Sequence, residues 1–333
     1  MAKALVTGGT GFIGTHVVRR LIKEGLDVRC LVRGGSNQRN LAGLQVEFSP
    51  GDLNDPTSLR KAVSGCTLLF HVAADYRLWA KNPAELEKTN VQGTRDILQA
   101  AAEAGVSKVV YTSSVAAVGR PVENGRLGIG HEELDPSKAQ QIGPYKRSKF
   151  ASELVARNFA KRGLNIVIVN PSTPIGAQDI KPTPTGKMIV DLLNGRMPGY
   201  VDTGMNFVDV EDVAAGHWLA FQKGRVGERY ILGHQNMTLK DFLFAAARLA
   251  DRPPPRYKIP YPVAWIAGAV SGMIASVTGQ EPAVPLDGVR MAHAPMYYTS
   301  AKAVKELGLP QSPVENAIEK AVRWFMENGY ARS

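Results

Sequence analysis

Cysteine is scarce in this sequence, and features typical of secreted and metal-binding proteins are lacking. Its 333 residues include two cysteines, Cys30 and Cys66, without the spacing of paired metal ligands. Two cysteines build no disulfide framework, so we expect a protein of the reducing cytoplasm that has no metal site. The apolar run at the N-terminus is too short for a signal peptide and leads directly into a glycine-rich turn.

The sequence also lacks internal repeats, low-complexity tracts and the motifs of nucleic-acid-binding domains. It carries 40 lysines and arginines against 30 acidic residues, a formal net charge of +10. A basic balance suits nucleic acid, an anionic membrane or phosphorylated ligands. Because the basic residues are spread along the chain, we expect a solvated basic surface and no nucleic-acid partner.

Short β-branched segments alternate with helical patterns through the first half of the chain. The predicted strands are KALV, VRCLV, VEFS, LLFHV, KVVYT and NIVIV, and predicted helices cover 11–24, 84–104 and 144–162. Strands with little polar alternation are buried on both faces, as in a parallel sheet between helical layers. The predicted fold class is therefore α/β, with a Rossmann-type doubly wound parallel sheet.

This alternation stops after Asn170, which predicts a second, smaller and mainly helical lobe. A loop rich in Pro, Gly and Thr follows, and the sheet is expected to return at NFVDV and RYILG. We predict a nucleotide-binding domain of residues 1–172 with return segments at about 205–235. Residues 173–204 and 236–333 form the predicted substrate-binding lobe, and the ligand cleft should lie between the two at the carboxyl ends of the strands.

The segment ALVTGGTGFIG joins a predicted strand to a predicted helix. It contains G-x-G-x-x-G, in which glycine permits a tight turn and close approach to a pyrophosphate. The N–H groups at the start of the helix then bind the phosphate charge. In this context the motif predicts a dinucleotide site. Its residues are Gly8, Thr10, Gly11, Phe12, Ile13 and Gly14.

The second strand ends on a basic residue, which bears on the choice of dinucleotide. Sites for NAD usually place an acid here, whereas this strand ends on Arg33, with Ser36 and Arg39 nearby. Arginine suits a 2′-phosphate, so NADP(H) is favoured and NAD(H) is the alternative. The alternative, that Arg33 is only a solvated residue at the strand end, remains open.

Two further strand ends are expected to border the cofactor. Asp52 and Leu53, in GDLND, are candidates for the adenine side, although an Asp that caps the helix near Asp55 is the alternative. Ala73 and Ala74 end the fourth strand, where small side chains leave room for the cofactor.

GPYKRSK places Tyr145 and Lys149 four residues apart, on one face of a predicted helix. A nearby ammonium should lower the pKa of the phenol and make it a useful acid–base group, and the lysine can also reach the ribose of the nicotinamide half. Ser114 ends the fifth strand and is positioned to hydrogen-bond a substrate oxygen. After a glycine-rich turn, this set of residues predicts catalysis.

In this order, TGGTGFIG, GDL, HVAA, NVQGT, TSS, YKRSK and NPS make the chain resemble the extended short-chain dehydrogenase/reductase family over nearly its whole length. The resemblance implies hydride transfer between a nicotinamide and an alcohol or carbonyl carbon. It implies that Tyr145 exchanges the proton, Lys149 tunes it and Ser114 holds the substrate oxygen, with Ser113 as the alternative. It also assigns Thr112, Pro171, Ser172 and Thr173 to the cofactor site. Asn90 matches a family position whose role is either structural or catalytic.

Two branches of that family compete. DYRLWA, NPSTPIG, FVDVEDVA and MYYTSAKAVKELG are most similar to the hopanoid-associated sugar epimerase group, which itself resembles the dihydroflavonol reductases. Sugar-nucleotide enzymes often carry an Arg before VxDxA, where this chain has Met205 and Asn206. We therefore favour an NADPH-dependent ketone reductase. The alternatives are an NAD-dependent sugar epimerase or dehydratase and a non-catalytic NADP(H)-binding redox sensor.

Two segments concern the substrate. Tyr76, Arg77 and Trp79 follow the fourth strand and are candidates to bind it; the alternative is a packed loop with Arg77 in a surface ion pair. Residues 261–280 carry no charge and have apolar residues at helical spacing. They predict either a buried helix or a surface for a lipid-like substrate or a membrane. We expect a small-molecule substrate, lipid-like or sugar-containing, in a cytoplasmic protein; peripheral contact with the inner membrane and a homodimer remain open.

Overall fold

The computed structural model describes residues 2–331, and strands and helices alternate along most of this range. The strands are β1 Lys3–Thr7, β2 Asp27–Val32, β3 Val46–Pro50, β4 Leu68–His71, β5 Lys108–Thr112, β6 Val122–Glu123, β7 Arg126–Leu127, β8 Ile166–Pro171, β9 Thr173–Ile175, β10 Gly199–Val201, β11 Gly204–Asp209, β12 Arg229–Leu232, β13 Gln235–Thr238 and β14 Tyr257–Ile259. The helices are α1 Phe12–Lys23, α2 Pro56–Val63, α3 Pro83–Glu87, α4 Gly93–Glu103, α5 Gly143–Lys161, α6 Pro184–Leu193, α7 Val210–Lys223, α8 Leu239–Leu249, α9 Tyr261–Thr278, α10 Leu286–Met291, α11 Ala301–Leu307 and α12 Val314–Glu327.

Seven parallel strands form the main sheet, in the order β3-β2-β1-β4-β5-β8-β12. The six strands predicted from the sequence all lie in it, which confirms the doubly wound α/β class. β1 pairs with β2 on one side and β4 on the other, so the winding reverses at β1. In such sheets ligands bind in the crevice at the carboxyl ends of the strands beside this point.

The helix predicted over 84–104 consists of three pieces. A π-helical turn, Lys88–Gln92, separates α3 from α4 and carries Asn90. Asn90 is 3% exposed, accepts a hydrogen bond from Asp75 N at 2.7 Å and donates to Asp75 O and Ser148 Oγ. Its contacts are therefore structural, and they tie the loop after β4 to α5.

One of the two predicted returns to the main sheet is wrong. RYILG forms β12 at the edge beside β8, as expected. NFVDV lies in β11 instead, within a separate three-stranded sheet of order β13-β11-β9. The reason is that β9 leaves the main sheet after β8 and offers β11 a parallel partner. A second core, in which the rings of Phe207 and Phe242 stack at 4.5 Å, fills this lobe.

Helix α9 is largely exposed, so the interpretation as a buried helix is wrong for most of its surface. Its buried residues are the small ones, Ala264, Gly268 and Ala275, and Gly268 lies against Leu286 of α10. Large apolar side chains face outward, as in Met273 at 62% exposure and Val277 at 87%. Within 2–331, α9 alone is long and apolar enough to cross a membrane, by length and composition only.

Candidate active site

The glycine-rich turn packs tightly against the end of β4. Gly8 has a φ of +73°, and a Cβ at this position would lie 2.7 Å from Ala73 N. A Cβ at Gly14 would lie 2.0 Å from Gly8 O, and Gly11 N donates to that carbonyl at 2.9 Å. Side chains larger than hydrogen are therefore excluded at Gly8 and Gly14.

The start of α1 is suited to an anion. Its N-cap is Gly11, which has no side chain to cap the helix, and the first turn contains no acidic residue. The N–H groups of Phe12, Ile13 and Gly14 therefore lie at the positive end of the helix dipole without side-chain acceptors. Thr10 belongs to the turn itself. This arrangement fits the pyrophosphate of a dinucleotide.

A cavity of about 480 Å³ lies at the carboxyl ends of β2 and β3. It brings together Arg33, Ser36 and Asp52 and is also lined by Gly34, Gly35, Gly51 and Asp55. Arg39 does not line this cavity, because its guanidinium donates to Asn328 Oδ1 at 2.7 Å. The cavity offers a guanidinium and a hydroxyl at the position where the ribose of a dinucleotide is expected.

Asp52 and Leu53 have different surroundings. Asp52 Oδ1 accepts from Asn54 N at 2.8 Å, while the cap of α2 is Asp55, whose carboxylate accepts from Thr57 N. The helix-capping role weighed for Asp52 thus belongs to Asp55. Leu53 is 7% exposed and packs in the core, against Gly93.

A buried chain of hydrogen bonds fixes the loop that contains Ala73 and Ala74. Ala73 N donates to Thr7 Oγ1, which lies 2.7 Å from His71 Nδ1, and His71 Nε2 lies 3.2 Å from Thr94 Oγ1. Burial, together with the charge of Lys149, lowers the pKa of His71 to about 3. His71 is therefore a neutral positioning residue, which the sequence did not reveal.

Ser114 and Tyr145 meet at the carboxyl end of β5. Tyr145 lies in the first turn of α5, and its phenol lies next to Ser114, which acts to lower the pKa of the phenol. Ser114 Oγ also accepts from Ala116 N at 3.1 Å. The Oγ of Ser113 is buried and has no hydrogen-bond partner among the residues described. The structure thus pairs Ser114, not Ser113, with the tyrosine.

Lys149 lies one helical turn after Tyr145 in α5. Its Nζ donates to Thr112 O at 3.1 Å and lies 5.8 Å from the centre of the Tyr111 ring. Burial lowers the pKa of Lys149 to about 8, against the opposing charge of Glu153. The pKa of Tyr145 is raised, because burial outweighs the opposing effect of Ser114. The expected lowering by Lys149 is absent here, since the ammonium is engaged with the Thr112 carbonyl.

The junction between β8 and β9 completes the cleft edge. Pro171 ends β8, Thr173 begins β9, and Ser172 N donates to Leu232 O at 3.0 Å. Ser172 Oγ is buried without a hydrogen-bond partner in the described part of the chain. A spare hydroxyl at this edge fits a polar group of a cofactor.

The arrangement as a whole fits a nicotinamide dinucleotide, and the comparison with known proteins agrees. Residues 4–233 match the NAD dependent epimerase/dehydratase family. The chain belongs to this family. Its fold is that of the extended short-chain dehydrogenases/reductases, and membership makes it an NAD(P)-dependent enzyme, an oxidoreductase or an epimerase. The family resemblance drawn from the sequence motifs is confirmed.

Several relatives are similar over almost their whole length. A putative dihydroflavonol 4-reductase from Synechocystis is 46% identical over 98% of this chain and 96% of its own. Sterol demethylase protein B from Methylococcus capsulatus is 35% identical over 98% of each chain. The crystal structure of gox2253 superposes with a TM-score of 0.86 at 44% identity and covers all of both chains.

Sequence reasoning missed a buried ionic cluster next to the candidate catalytic residues of this family member. Glu153 is fully buried, and its carboxylate accepts from Asn170 Nδ2 at 2.7 Å and from Arg229 Nη1 at 3.1 Å. Asn170 Nδ2 also donates to Ser114 O at 3.0 Å. The cluster therefore connects α5, β8 and β12 to the backbone of Ser114. Glu153 follows Lys149 by one helical turn, and this spacing is the sequence signal by which it could have been found.

In the DYRLWA loop, Arg77 forms an ion pair, as the alternative interpretation of a packed loop expects. Arg77 Nη2 lies 2.5 Å from Asp75 Oδ2, and this ion pair, against the effect of burial, lowers the pKa of Asp75. Tyr76 is 40% exposed, and Trp79 is half-buried. Arg77 thus has an internal carboxylate partner, while the two rings remain candidates for substrate contact.

Proposed function

We propose that the protein is an NADPH-dependent oxidoreductase that reduces a ketone or oxidises a secondary alcohol. The observation that carries this proposal is the placement of Tyr145 beside Ser114 at the carboxyl end of β5, with buried Lys149 one turn further along α5, at the same sheet edge as the glycine-rich turn. A phenol beside a serine hydroxyl, with a buried lysine on the same helix, can move a proton at a substrate oxygen.

Each side chain has a distinct part in the reduction. The nicotinamide, when bound, supplies the hydride that adds to the carbonyl carbon. Ser114 donates a hydrogen bond to the carbonyl oxygen and orients it. Tyr145 gives its proton to that oxygen as the alcohol forms. Lys149, once its Nζ leaves the Thr112 carbonyl to which it donates in this structure, stabilises the phenolate left behind. In the oxidative direction the same groups take the proton back.

Tyr145→Phe is the direct test, because it removes the proton and leaves the ring. We expect turnover of NADPH with a ketone to fall by about 10²–10⁴-fold, the usual contribution of a general acid. Tyr257→Phe is the matched control, since Tyr257 is 66% exposed on β14 and should leave the rate unchanged. Undiminished turnover in Tyr145→Phe would exclude this residue as the acid. Stoichiometric NADPH binding without turnover of any ketone would favour the redox-sensor alternative.

We further propose that NADPH is preferred over NADH through Arg33. Arg33 and Ser36 line the cavity at the end of β2, and a guanidinium there can bind a 2′-phosphate. Arg33→Ala should weaken NADPH binding about tenfold, equivalent to about 1.4 kcal/mol, and leave NADH binding unchanged. Arg39→Ala is the control, because Arg39 lies outside the cavity lining. Equal losses for both nucleotides, measured by fluorescence titration, would contradict the assignment.

The surroundings of Asn206 favour reduction over sugar-nucleotide epimerisation. Its Nδ2 donates to Asn236 Oδ1 at 2.8 Å and to Tyr298 O at 3.1 Å, so this position joins β-strands and presents no cation to a diphosphate. The nucleotide retained through purification separates the two functions. Exchangeable NADPH is expected; tightly held NAD would favour the epimerase or dehydratase alternative.

We also propose that α9 contacts the surface of an anionic membrane from the cytoplasmic side and that the substrate is lipid-like. Exposed apolar residues cover this helix, exposed Arg256 precedes it, and Lys81 Nζ would lie 3.6 Å from a Cβ added at Gly279, at its end. An apolar helix flanked by cations suits the headgroup region of anionic lipids. The similarity to a protein named for sterol demethylation supports a lipid-like substrate.

Co-sedimentation with vesicles tests this contact. Vesicles that contain phosphatidylglycerol should bind the wild type, and Met273→Gln should reduce the bound fraction. Val226→Asn is the control, since Val226 is 55% exposed in the loop before β12, away from α9. The membrane proposal fails if the wild type stays in solution or if both variants bind as it does.

A further inference from the structure

Two buried cations lie next to the catalytic group without a carboxylate partner. Lys146 directly follows Tyr145 in α5 and is 6% exposed, and Arg120, in the loop that follows Ser114, is 8% exposed. Within residues 2–331 neither side chain forms an ion pair, whereas the neighbouring Glu153 is paired. The oxidoreductase mechanism uses neither of them.

The contacts of the two cations are neutral. Lys146 Nζ lies 3.7 Å from Met296 Sδ, and a thioether is a weak acceptor. Arg120 Nη1 donates to Pro295 O. The backbone of Arg120 is fixed by Gln140, whose Oε1 accepts from Arg120 N at 3.1 Å and whose Nε2 donates to Arg120 O at 2.8 Å. The positions are held firmly, but the charges are not compensated.

Leaving these charges uncompensated is unfavourable. Burial and the like charge of Arg120 lower the pKa of Lys146 to about 8. Burial likewise lowers the pKa of Arg120. Buried charges in proteins are normally paired, and here the like charges adjoin each other instead. An anion bound by both would offset the desolvation penalty and the repulsion.

The pair lies where a substrate is expected. Met296 belongs to the C-terminal part of the chain and packs with Val115, the residue after Ser114, against a small core of Val118, Ile231 and Tyr298. Lys146 lies one turn before Lys149 on α5. The cations therefore lie at the border between the catalytic group and the C-terminal lobe.

We propose that Lys146 and Arg120 form a subsite for an anionic group of the substrate, a carboxylate or a phosphate. This inference rests on the oxidoreductase function proposed above and narrows its substrate to an acidic ketone or secondary alcohol. The guanidinium binds an oxyanion in a bidentate manner, and the ammonium adds a second charge. The side chain of Met296 is unbranched and flexible, so its thioether can move away from Lys146 Nζ and allow the anion to bind there.

A binding experiment tests the subsite without turnover. The protein is saturated with NADP⁺, so that the nucleotide site is filled, and its Tm is measured in inorganic phosphate, in acetate and in chloride at equal ionic strength. Lys146→Met removes the buried charge at similar length. Lys161→Met is the matched control, because Lys161 is an exposed lysine on the same helix.

We expect phosphate or acetate to raise the Tm of the wild type and of Lys161→Met, and the rise to fall to less than half in Lys146→Met. The larger of the two wild-type shifts identifies phosphate or carboxylate as the preferred group. Equal shifts in all three proteins, or none, would overturn the subsite. Since stability is measured, a failure here is distinct from a failure of the reductase proposal.

Kinetics with paired ketones provide the second arm. For ketones that differ only by a carboxylate or phosphate, Lys146→Met should raise the KM of the acidic member at least tenfold and leave the KM of the neutral member unchanged. Arg120→Lys keeps the positive charge but loses the planar guanidinium that binds an oxyanion in a bidentate manner. It should raise the KM of the acidic ketone by an intermediate amount. If acidic and neutral ketones are affected alike, Lys146 has a structural role only and the proposal is wrong.

Discussion

Gly14 offers a sharp test of the close packing in the glycine-rich turn. A Cβ added at Gly14 would lie 2.0 Å from Gly8 O and 3.0 Å from Gly9 Cα, and both are backbone atoms of the turn. The same Cβ added at Gly272, in α9, meets no heavy atom within 4 Å. Gly14→Ala and Gly272→Ala therefore make the same substitution in two different helices, and only the surroundings of the added methyl group differ.

The two substitutions should change stability in opposite directions. Alanine is preferred over glycine inside a helix by about 0.5–1 kcal/mol, so Gly272→Ala should raise the free energy of unfolding by that amount. Gly14→Ala gains the same preference but overpacks the turn, which costs about 1–3 kcal/mol. Because the contact with Gly8 O is far inside van der Waals distance, we expect a net loss of about 2 kcal/mol. NADPH binding should weaken about tenfold, since α1 must move away from the pyrophosphate.

Urea unfolding followed by circular dichroism, with NADPH titration of the folded protein, measures both effects. The reasoning is refuted if Gly14→Ala is as stable as the wild type and binds NADPH equally well. A loss of stability in Gly272→Ala would show that surroundings do not explain the difference.

The remaining predictions concern buried charge. Burial lowers the pKa of Lys149 to about 8. Between pH 8 and the ordinary lysine pKa near 10.4, the unfolded chain therefore keeps a proton that the folded protein has lost. The free energy of unfolding should rise with pH in this range, by up to about 1.4 kcal/mol per pH unit. Urea unfolding at pH 7, 8 and 9 should show a smaller rise in Lys149→Met; an identical slope would contradict the assignment. Glu153→Gln removes the buried carboxylate of the ionic cluster and should cost about 3–5 kcal/mol. Glu319→Gln, from an exposed pair within α12, should cost less than about 1 kcal/mol, and similar losses in the two variants would argue against a stabilising cluster.

Local patterns determined much of this protein. The alternation of β-branched segments and helices predicted the strands of the main sheet. The order of the motifs predicted the family. The candidate cofactor site was assigned from G-x-G-x-x-G between a strand and a helix. The candidate catalytic residues were assigned from Tyr145 four residues before Lys149. The strand and family predictions are confirmed, while the cofactor and catalytic assignments stay predictions. All of them depend on a few neighbouring residues and on the way parallel strands end at one edge.

The incomplete predictions depend on contacts between distant parts of the chain. NFVDV has the composition of a strand, but only the path of β9 decides which sheet it joins. Residues 261–280 have the pattern of an apolar helix, but only its neighbours decide that its small residues, and not its large ones, face the protein. Arg39 is near Arg33 in sequence, yet it pairs with Asn328.

The sequence by itself therefore determined the fold class and the family of NAD(P)-dependent enzymes, since these follow from short-range periodicity and local backbone chemistry. The tertiary structure decided which charges are compensated. It paired Arg77 with Asp75, enclosed Glu153 among Asn170 and Arg229, and left Lys146 beside a thioether. The physical reason is that burial and ion pairing depend on distances in space, which composition and spacing along the chain do not specify.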